Sequence, residues 1–290
     1  MKHLLPLLTF FLWVGGCASA PNDPASATPM PSEPILSGHS HNDYLHQRPL
    51  WEAISYAFAS IEVDIHLVDG ALLVGHDADD LDVSKTLQSL YLDPLRDHVR
   101  EHDDRVYPSP HSLVLLIDIK SDAKSTYEAL RGVLSQYSEM LTSYSEARVQ
   151  PRAIAVIVSG NRPRELMMNE VIRFATYDGR IADLDVEVPA NFISLISDNW
   201  ENHFEWRGLG SLSDRDHLQL TQIVQATHRR GYRLRFWNTP SPENGSMENV
   251  WSQLLDAGVD LMNIDDLAAY RDFVCVRKLS GSRLAGCSTR

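Results

Sequence analysis

Short runs of apolar residues alternate with amphipathic stretches along most of this chain. Two of the runs, LVLLI at residues 113–117 and AIAVIV at residues 153–158, are apolar at every position. Strands with two apolar faces are typical of parallel sheets, because helices cover both sides of such sheets. The repeated order of strand and helix therefore predicts an α/β fold built on a parallel sheet.

Eight of the runs are predicted to be strands, and that number in 290 residues favours a single-domain (β/α)8 TIM barrel over an open sheet. The predicted strands are Ile35–Gly38, Ser60–His66, Leu113–Lys120, Arg152–Ser159, Val171–Thr176, Phe192–Ile196, Arg233–Trp237 and Asp260–Ile264. A short hairpin partner is expected at Leu72–Val74. The predicted helices are Leu50–Ala59, Ala123–Ser143, Arg164–Asn169, Asp214–Arg230 and Met247–Ala257.

The chain is expected to divide into four segments, of which residues 35–272 form the barrel domain. Residues 1–17 have a basic start, an apolar run and small residues before Cys17, a pattern typical of a lipoprotein signal peptide. An ordinary signal peptide with an incidental cysteine is the alternative. Residues 18–34 are rich in Ala, Pro and Ser and are predicted to be a flexible tether. Residues 273–290 are predicted to be a C-terminal tail.

The end segments also predict where the protein is found. By resemblance to bacterial lipoproteins, a lipidated Cys17 followed by Ala18 implies a lipid anchor in the bacterial cell envelope, at the outer membrane and facing the periplasm. An oxidising envelope permits a disulfide between Cys275 and Cys287, and two free thiols remain the alternative.

The charge balance of the chain argues against a nucleic-acid partner. It contains 26 Lys and Arg against 39 Asp and Glu, a formal net charge of -13. A strongly acidic surface repels the phosphate backbone of DNA or RNA. We expect part of this acidity to belong to a cation site.

Polar side chains gather where the predicted strands end. His39 follows the first strand, and Asp118 and Lys120 close the third. In an α/β barrel the C-terminal ends of the strands meet at one end of the barrel, here called the mouth, where active sites lie. We therefore expect these residues, although scattered along the chain, to converge on one site.

Three carboxylates are predicted to hold one divalent cation, Mg²⁺ or Ca²⁺. Glu62 and Asp64 occupy alternate positions of the second strand and so point to the same face, and Asp118 can complete the oxygen shell. Lys120 is placed to neutralise charge that develops on a phosphate group. The alternative is a structural salt bridge between the carboxylates and Lys120.

Two histidines near these carboxylates are predicted to act as general base and general acid. We assign these roles to His39, which directly follows a strand, and to His76 in a Gly-His-Asp turn. His41 competes with His39 for the first role. His41, Asn42 and Trp237 are expected to contact the substrate, Asn42 by hydrogen bonding and Trp237 by stacking.

Together these motifs resemble those of the glycerophosphodiester phosphodiesterases and of the wider superfamily of phosphatidylinositol phospholipase C-like barrels. The resemblance is carried by His39, Glu62-Val63-Asp64, His76-Asp77 and Asp118-Ile119-Lys120. The string HSHNDY…VEVD…LLVGHD is most similar to a branch that includes the yeast altered inheritance of mitochondria protein. Where the superfamily usually has Glu in the third carboxylate position, this chain has Asp118.

The resemblance implies a metal-dependent phosphodiesterase that cleaves a glycerophosphodiester or a (lyso)phospholipid-type phosphodiester. The alternative is a non-catalytic envelope lipoprotein that binds phosphorylated headgroups in the same pocket. A binding protein would have no use for an acid and a base on opposite sides of phosphorus, so the retained pair of histidines favours the enzyme.

Overall fold

Eight parallel strands close into a barrel in the computed structural model, which describes residues 31–241 and 247–277. The strands of the chain are β1 (Ile35–Ser40), β2 (Phe58–Val68), β3 (Ala71–Val74), β4 (Leu113–Ile119), β5 (Ser143–Tyr144), β6 (Val149–Gln150), β7 (Ile154–Gly160), β8 (Ala175–Gly179), β9 (Ile193–Asn199), β10 (Arg233–Trp237) and β11 (Leu261–Ile264). Around the barrel the order is β1, β2, β4, β7, β8, β9, β10 and β11, and β11 pairs with β1. The predicted TIM barrel is therefore confirmed.

Helices connect the strands. They are α1 (Trp51–Ser55), α2 (Asp93–Glu101), α3 (Ala123–Ser135), α4 (Arg164–Met168), α5 (Asp214–Arg229), α6 (Met247–Ala257) and α7 (Leu267–Arg277). The remaining strands lie outside the barrel: β3 runs antiparallel to β2 as a hairpin, and β5 pairs with β6.

Alternation along the strands divides the buried apolar side chains into two cores. On β4, Leu113, Leu115 and Ile117 join the large core between the sheet and the helices. Val114 and Leu116 belong to a second cluster, which we assign to the barrel interior because their positions alternate with the first set. That cluster contains Val114, Leu116, Ile157, Leu195 and Leu261. It fills the barrel near the N-terminal ends of the strands and leaves the other end to polar residues.

The structure corrects several predicted boundaries. β8 begins at Ala175 instead of Val171, because the apolar residues Val171 and Ile172 are exposed and precede the sheet. α3 ends at Ser135 instead of Ser143. α2 was missed because it is mostly polar and buries only Leu95, His98 and Val99. α7 was missed as well.

Several predictions concern residues outside those described. The signal segment 1–17 with Cys17, residues 18–30 of the predicted tether, and Cys287 are among them. Cys275 lies in α7 and is disulfide-bonded. Within the described ranges, no helix combines the length and the apolar character needed to cross a bilayer.

Candidate active site

The three predicted cation ligands lie together at the barrel mouth. Glu62, Asp64 and Asp118 each offer a carboxylate oxygen, and these atoms all lie within 4.8 Å of one another. The parallel register of β2 and β4 produces this cluster, because it places Asp64 opposite Asp118. In the same three side chains, Asp64 Oδ1 and Asp118 Oδ1 are buried and have no hydrogen-bond partner among the described residues. Buried acceptors without a donor are costly, and a hard divalent cation is the ligand that such oxygens prefer.

Gly160 packs closely against Asp118 because it has no side chain. A Cβ atom built on Gly160 would lie 1.9 Å from Asp118 Oδ1, and its φ of +67° also favours glycine. Burial raises the pKa of Asp118 to about 6, the charge of Lys120 opposes this, and the charges of Asp64 and Glu62 add to it. A bound cation would relieve the same repulsion. The donor set of three carboxylates therefore fits Mg²⁺ or Ca²⁺.

Glu62 is held by a buried arginine, Arg235, that was not predicted as a site residue. Its Oε2 accepts a hydrogen bond from Arg235 Nη1 at 2.6 Å and lies 2.7 Å from His39 Nε2. Arg235 on β10 is only 3% exposed. Burial alone would raise the pKa of Glu62, but the charge of Arg235 and the contact with His39 outweigh it and lower that pKa. Glu62 is therefore a carboxylate at neutral pH.

His39 is enclosed in the barrel and does not reach solvent. Its ring is fully buried, with Nδ1 2.7 Å from Ser60 Oγ and Nε2 within 2.7 Å of both Glu62 and Arg235. Burial, followed by the charge of Arg235, lowers the pKa of His39 to about 4, which keeps the ring neutral at physiological pH. Both ring nitrogens thus have protein partners.

His41 has the opposite environment on the loop after β1. Its Nδ1 lies 2.9 Å from Asp265 Oδ1, a third of its side chain is exposed, and its Nε2 makes no hydrogen bond with the described residues. Burial alone would lower the pKa of His41, but the hydrogen bond with Asp265 and the charge of Glu62 outweigh it and raise that pKa. The carboxylate orients the ring and leaves its other nitrogen available.

His76 has a similar arrangement in the turn after β3. Its Nδ1 lies 2.8 Å from Asp64 Oδ2, and its side chain is 57% exposed. His66 Nε2 donates a hydrogen bond to the backbone carbonyl of His76 at 3.1 Å, which holds this turn against β2. Nε2 of His76 makes no hydrogen bond with any described residue.

Asp64 connects several of the predicted site residues. Its Oδ2 lies 3.3 Å from Lys120 Nζ and accepts a hydrogen bond from Tyr44 Oη at 2.8 Å. Lys120 also lies 3.4 Å from Asp118 Oδ2. On Asp64, Lys120 and Tyr44 both contact Oδ2, which leaves Oδ1 of Asp64 available for a cation.

The loop that carries His41 and Asn42 is fixed by a buried carboxylate. Asp43 accepts hydrogen bonds from Ser40 Oγ, from the backbone N–H of Leu50 and from Tyr91 Oη. Asn42 accepts a hydrogen bond from Tyr44 and adopts a left-handed backbone with φ of +46°. The predicted stacking residue Trp237 ends β10 and is 37% exposed. The predicted substrate contacts His41, Asn42 and Trp237 therefore lie at C-terminal ends of barrel strands.

Sequence reasoning missed Arg235, Tyr44 and Asp178. The boundary error at β8 left Asp178 outside the predicted strand, whereas the structure buries it inside the barrel. For Arg235 a signal was present, since an arginine in the middle of a buried strand requires a charged partner. Tyr44 gave no signal, because its contact with Asp64 depends on how the loop folds back.

Comparison with known proteins places the chain in a family. Residues 32–178 match the AIM6-like phosphodiesterase domain. The altered inheritance of mitochondria protein 6 of Eremothecium gossypii is 31% identical, over 92% of this chain and 77% of its own length. The chain belongs to the AIM6-like phosphodiesterase family. The altered inheritance of mitochondria protein 6 homolog of Arthroderma benhamiae is 27% identical, over 81% of this chain and 82% of its own length. The altered inheritance of mitochondria protein 6 of Saccharomyces cerevisiae RM11-1a is 29% identical, over 79% of this chain and 68% of its own length.

Family membership confirms the predicted superfamily branch and a domain of phosphodiesterase type, which at this coarse level indicates a phosphoric diester hydrolase. The predicted bacterial envelope location is wrong, because the relatives are fungal proteins. The prediction depended on a short leader-like pattern in residues 1–17, whereas the Eremothecium relative matches 92% of the chain.

Proposed function

We propose that this protein is a cation-dependent phosphodiesterase that uses two histidines as acid and base. The observation that carries the proposal is the matched environment of His41 and His76. Each ring is partly exposed near the carboxylate cluster, and each has its Nδ1 bound by a carboxylate, Asp265 or Asp64. This arrangement fixes the ring and leaves Nε2 to exchange a proton with the substrate.

Glu62, Asp64 and Asp118 would hold one Mg²⁺ or Ca²⁺. When bound, the cation polarises a non-bridging phosphate oxygen and offsets the charge that develops there. Lys120, between Asp64 and Asp118, adds a second positive charge at this place.

We assign the base to His41 instead of His39. A general base must come within hydrogen-bond reach of the proton that it removes, and the fully buried ring of His39 has protein partners on both nitrogens. The hydrogen bond with Asp265 raises the pKa of His41, which makes the ring a stronger base. His39 then becomes a structural residue beneath Glu62.

His76 is assigned as the acid that protonates the leaving oxygen. Asp64 orients its ring, and more than half of the side chain is exposed at the mouth. His41 takes a proton from the nucleophile, which is either a neighbouring hydroxyl of the substrate or a water molecule. The first gives a cyclic phosphate and the second a hydrolysed monoester.

The test is turnover of glycerophosphodiesters and lysophospholipids with Mg²⁺, with Ca²⁺ and with chelator. General acid and base steps are each worth roughly 10²–10⁴-fold, so His41→Ala and His76→Ala should each lose about that much activity. His228→Ala is the matched control, since His228 also pairs with a carboxylate, Asp260, but on helix α5. Analysis of the phosphorus-containing product distinguishes the two nucleophiles.

The same experiment separates the two histidine assignments. His39→Gln removes a buried ring and is expected to lower the melting temperature, whereas His41→Ala is expected to remove turnover at nearly unchanged stability. Full turnover in His41→Ala would contradict our assignment. Metal binding without turnover of any substrate would favour the alternative of a non-catalytic binding protein.

A further inference from the structure

A buried positive charge lies next to the proposed cation site. Arg235 Nη1 is 2.6 Å from Glu62 Oε2, and Arg235 is 3% exposed. A guanidinium is always charged and is costly to bury without a full set of partners. Its position at a site proposed to bind a cation therefore requires an explanation.

Arg235 is also held by Ser197 and, through it, by Asp178. Its Nε donates to Ser197 Oγ at 3.3 Å, and Ser197 Oγ donates to Asp178 Oδ1 at 2.6 Å. Asp178 also accepts a hydrogen bond from Ser159 at 2.6 Å and is fully buried. These contacts from β7, β8 and β9 fix the guanidinium in the centre of the barrel.

The contact determines what Glu62 can offer to a cation. Arg235 and His39 both lie against Oε2, whereas Oε1 makes no hydrogen bond with the described residues. One oxygen of Glu62 is thus committed to the protein and the other remains free. Together with the unpartnered Oδ1 atoms of Asp64 and Asp118, each carboxylate provides one free oxygen.

The net charge of the cluster also favours a bound cation. Three carboxylates face two basic side chains, Arg235 and Lys120, which leaves one negative charge uncompensated. With a divalent cation bound, the cluster carries one positive charge, and one phosphodiester group, which carries a single negative charge, balances it.

We propose that Arg235 is a positioning residue and built-in counter-charge of the cation site. It holds Glu62 so that a single oxygen faces the cation, and its charge keeps cation binding weak and reversible. This rests on the cation site of the proposed function. A purely structural ion pair would stabilise the fold without changing cation affinity.

The test is calorimetric titration of the full chain with Mg²⁺ and with Ca²⁺ alone, at pH 8, where free histidine is neutral. Removing a positive charge beside a divalent cation should tighten binding, and we expect a dissociation constant about tenfold or more lower in Arg235→Met. The melting temperature in chelator should fall by on the order of 10 °C, because a buried ion pair is broken. Added cation should raise the melting temperature of the variant more than that of the wild type.

Arg233→Met is the matched control. Arg233 is a partly buried arginine on the same strand whose charged neighbour is Asp260, so its loss should lower stability and leave cation affinity unchanged. Arg235→Lys keeps the charge and should bind the cation within about threefold of the wild type.

Three results would overturn the proposal. Unchanged cation binding in Arg235→Met would make Arg235 a structural residue only, and weaker binding would exclude the counter-charge role. A dissociation constant tenfold or more below that of the wild type in Arg235→Lys would exclude the charge as the cause, and this comparison with the wild type remains available if the methionine variant does not fold. Absence of cation binding in the wild type would refute the cation site itself, and with it the proposed function.

Discussion

Position 160 must be glycine because an oxygen atom of the neighbouring strand β4 leaves no room for a side chain. A Cβ there would lie 1.9 Å from Asp118 Oδ1, and the backbone is left-handed. We expect Gly160→Ala to displace Asp118 and to abolish cation binding, measured by calorimetric titration. It should also destabilise the domain by more than the ~1 kcal/mol of an unfavourable φ alone.

Gly210→Ala is a close control for this prediction. Its φ is +63°, but no atom lies within 4 Å of the added Cβ, so only the backbone strain remains. The control should bind the cation like the wild type. If both variants bind the cation equally well, the space beside Asp118 is unimportant.

The pairing of His41 with Asp265 gives a second residue-scale prediction. Asp265→Asn should lower turnover roughly 10- to 100-fold, less than loss of His41 itself, because the ring loses its orientation. Since Asp265 raises the pKa of His41, its removal should also shift the acid limb of the pH–rate profile to lower pH. An unchanged profile would show that the pair does not act in the reaction.

At the scale of elements, helix α2 carries a pH dependence of stability. His98 Nε2 donates to the carbonyl of Val106 at 3.0 Å, and its ring stacks on His102 with 4.0 Å between centroids. Burial lowers the pKa of His98, the hydrogen bond to Val106 and the charge of Glu101 oppose this, and His102 adds to it. As the pH falls, His98 is therefore protonated at a higher pH in the unfolded chain than in the folded protein.

The free energy of unfolding should accordingly decrease as the pH drops below ~6.5, the unperturbed histidine value. Glutamine keeps a donor for Val106 and does not titrate, so His98→Gln should show a shallower decrease between pH 6.5 and 5. Urea unfolding at several pH values measures this. Parallel curves for the two proteins would refute the contribution of His98.

Elements also show where sequence reasoning succeeded and failed. Runs that are apolar throughout, such as those in β4 and β7, were placed correctly because their burial on two faces is visible in the sequence. The start of β8 was misplaced because Val171 and Ile172 are apolar but exposed, which local pattern cannot reveal. Because of that error, Asp178 lay outside the predicted strand, although it helps to hold Arg235 through Ser197.

For the whole molecule, the net charge of -13 gives a direct expectation. Binding to DNA depends on neutralising its phosphates, and we expect no saturable binding to duplex DNA at protein concentrations up to about 100 μM, even in low salt. Fluorescence anisotropy with a labelled duplex, and a basic protein as positive control, measures this. Saturable binding would reveal a local basic surface.

The sequence by itself determined the barrel and the three carboxylates. Strand alternation fixes which side of a strand a residue faces, so Glu62 and Asp64 share a face, and parallel strands bring Asp118 beside Asp64. These are consequences of local periodicity and of barrel closure, and both can be read from the order of residues.

Only the tertiary structure decided which histidine is accessible and what holds Glu62. His41 meets Asp265 across 224 residues of sequence, and Arg235 meets Glu62 across 173. Such contacts arise when the last strands close the barrel against the first, and no local pattern specifies their distances. His39 and His41 are two residues apart, yet one is sealed inside the barrel and the other is on a loop at the mouth, because strand β1 ends between them.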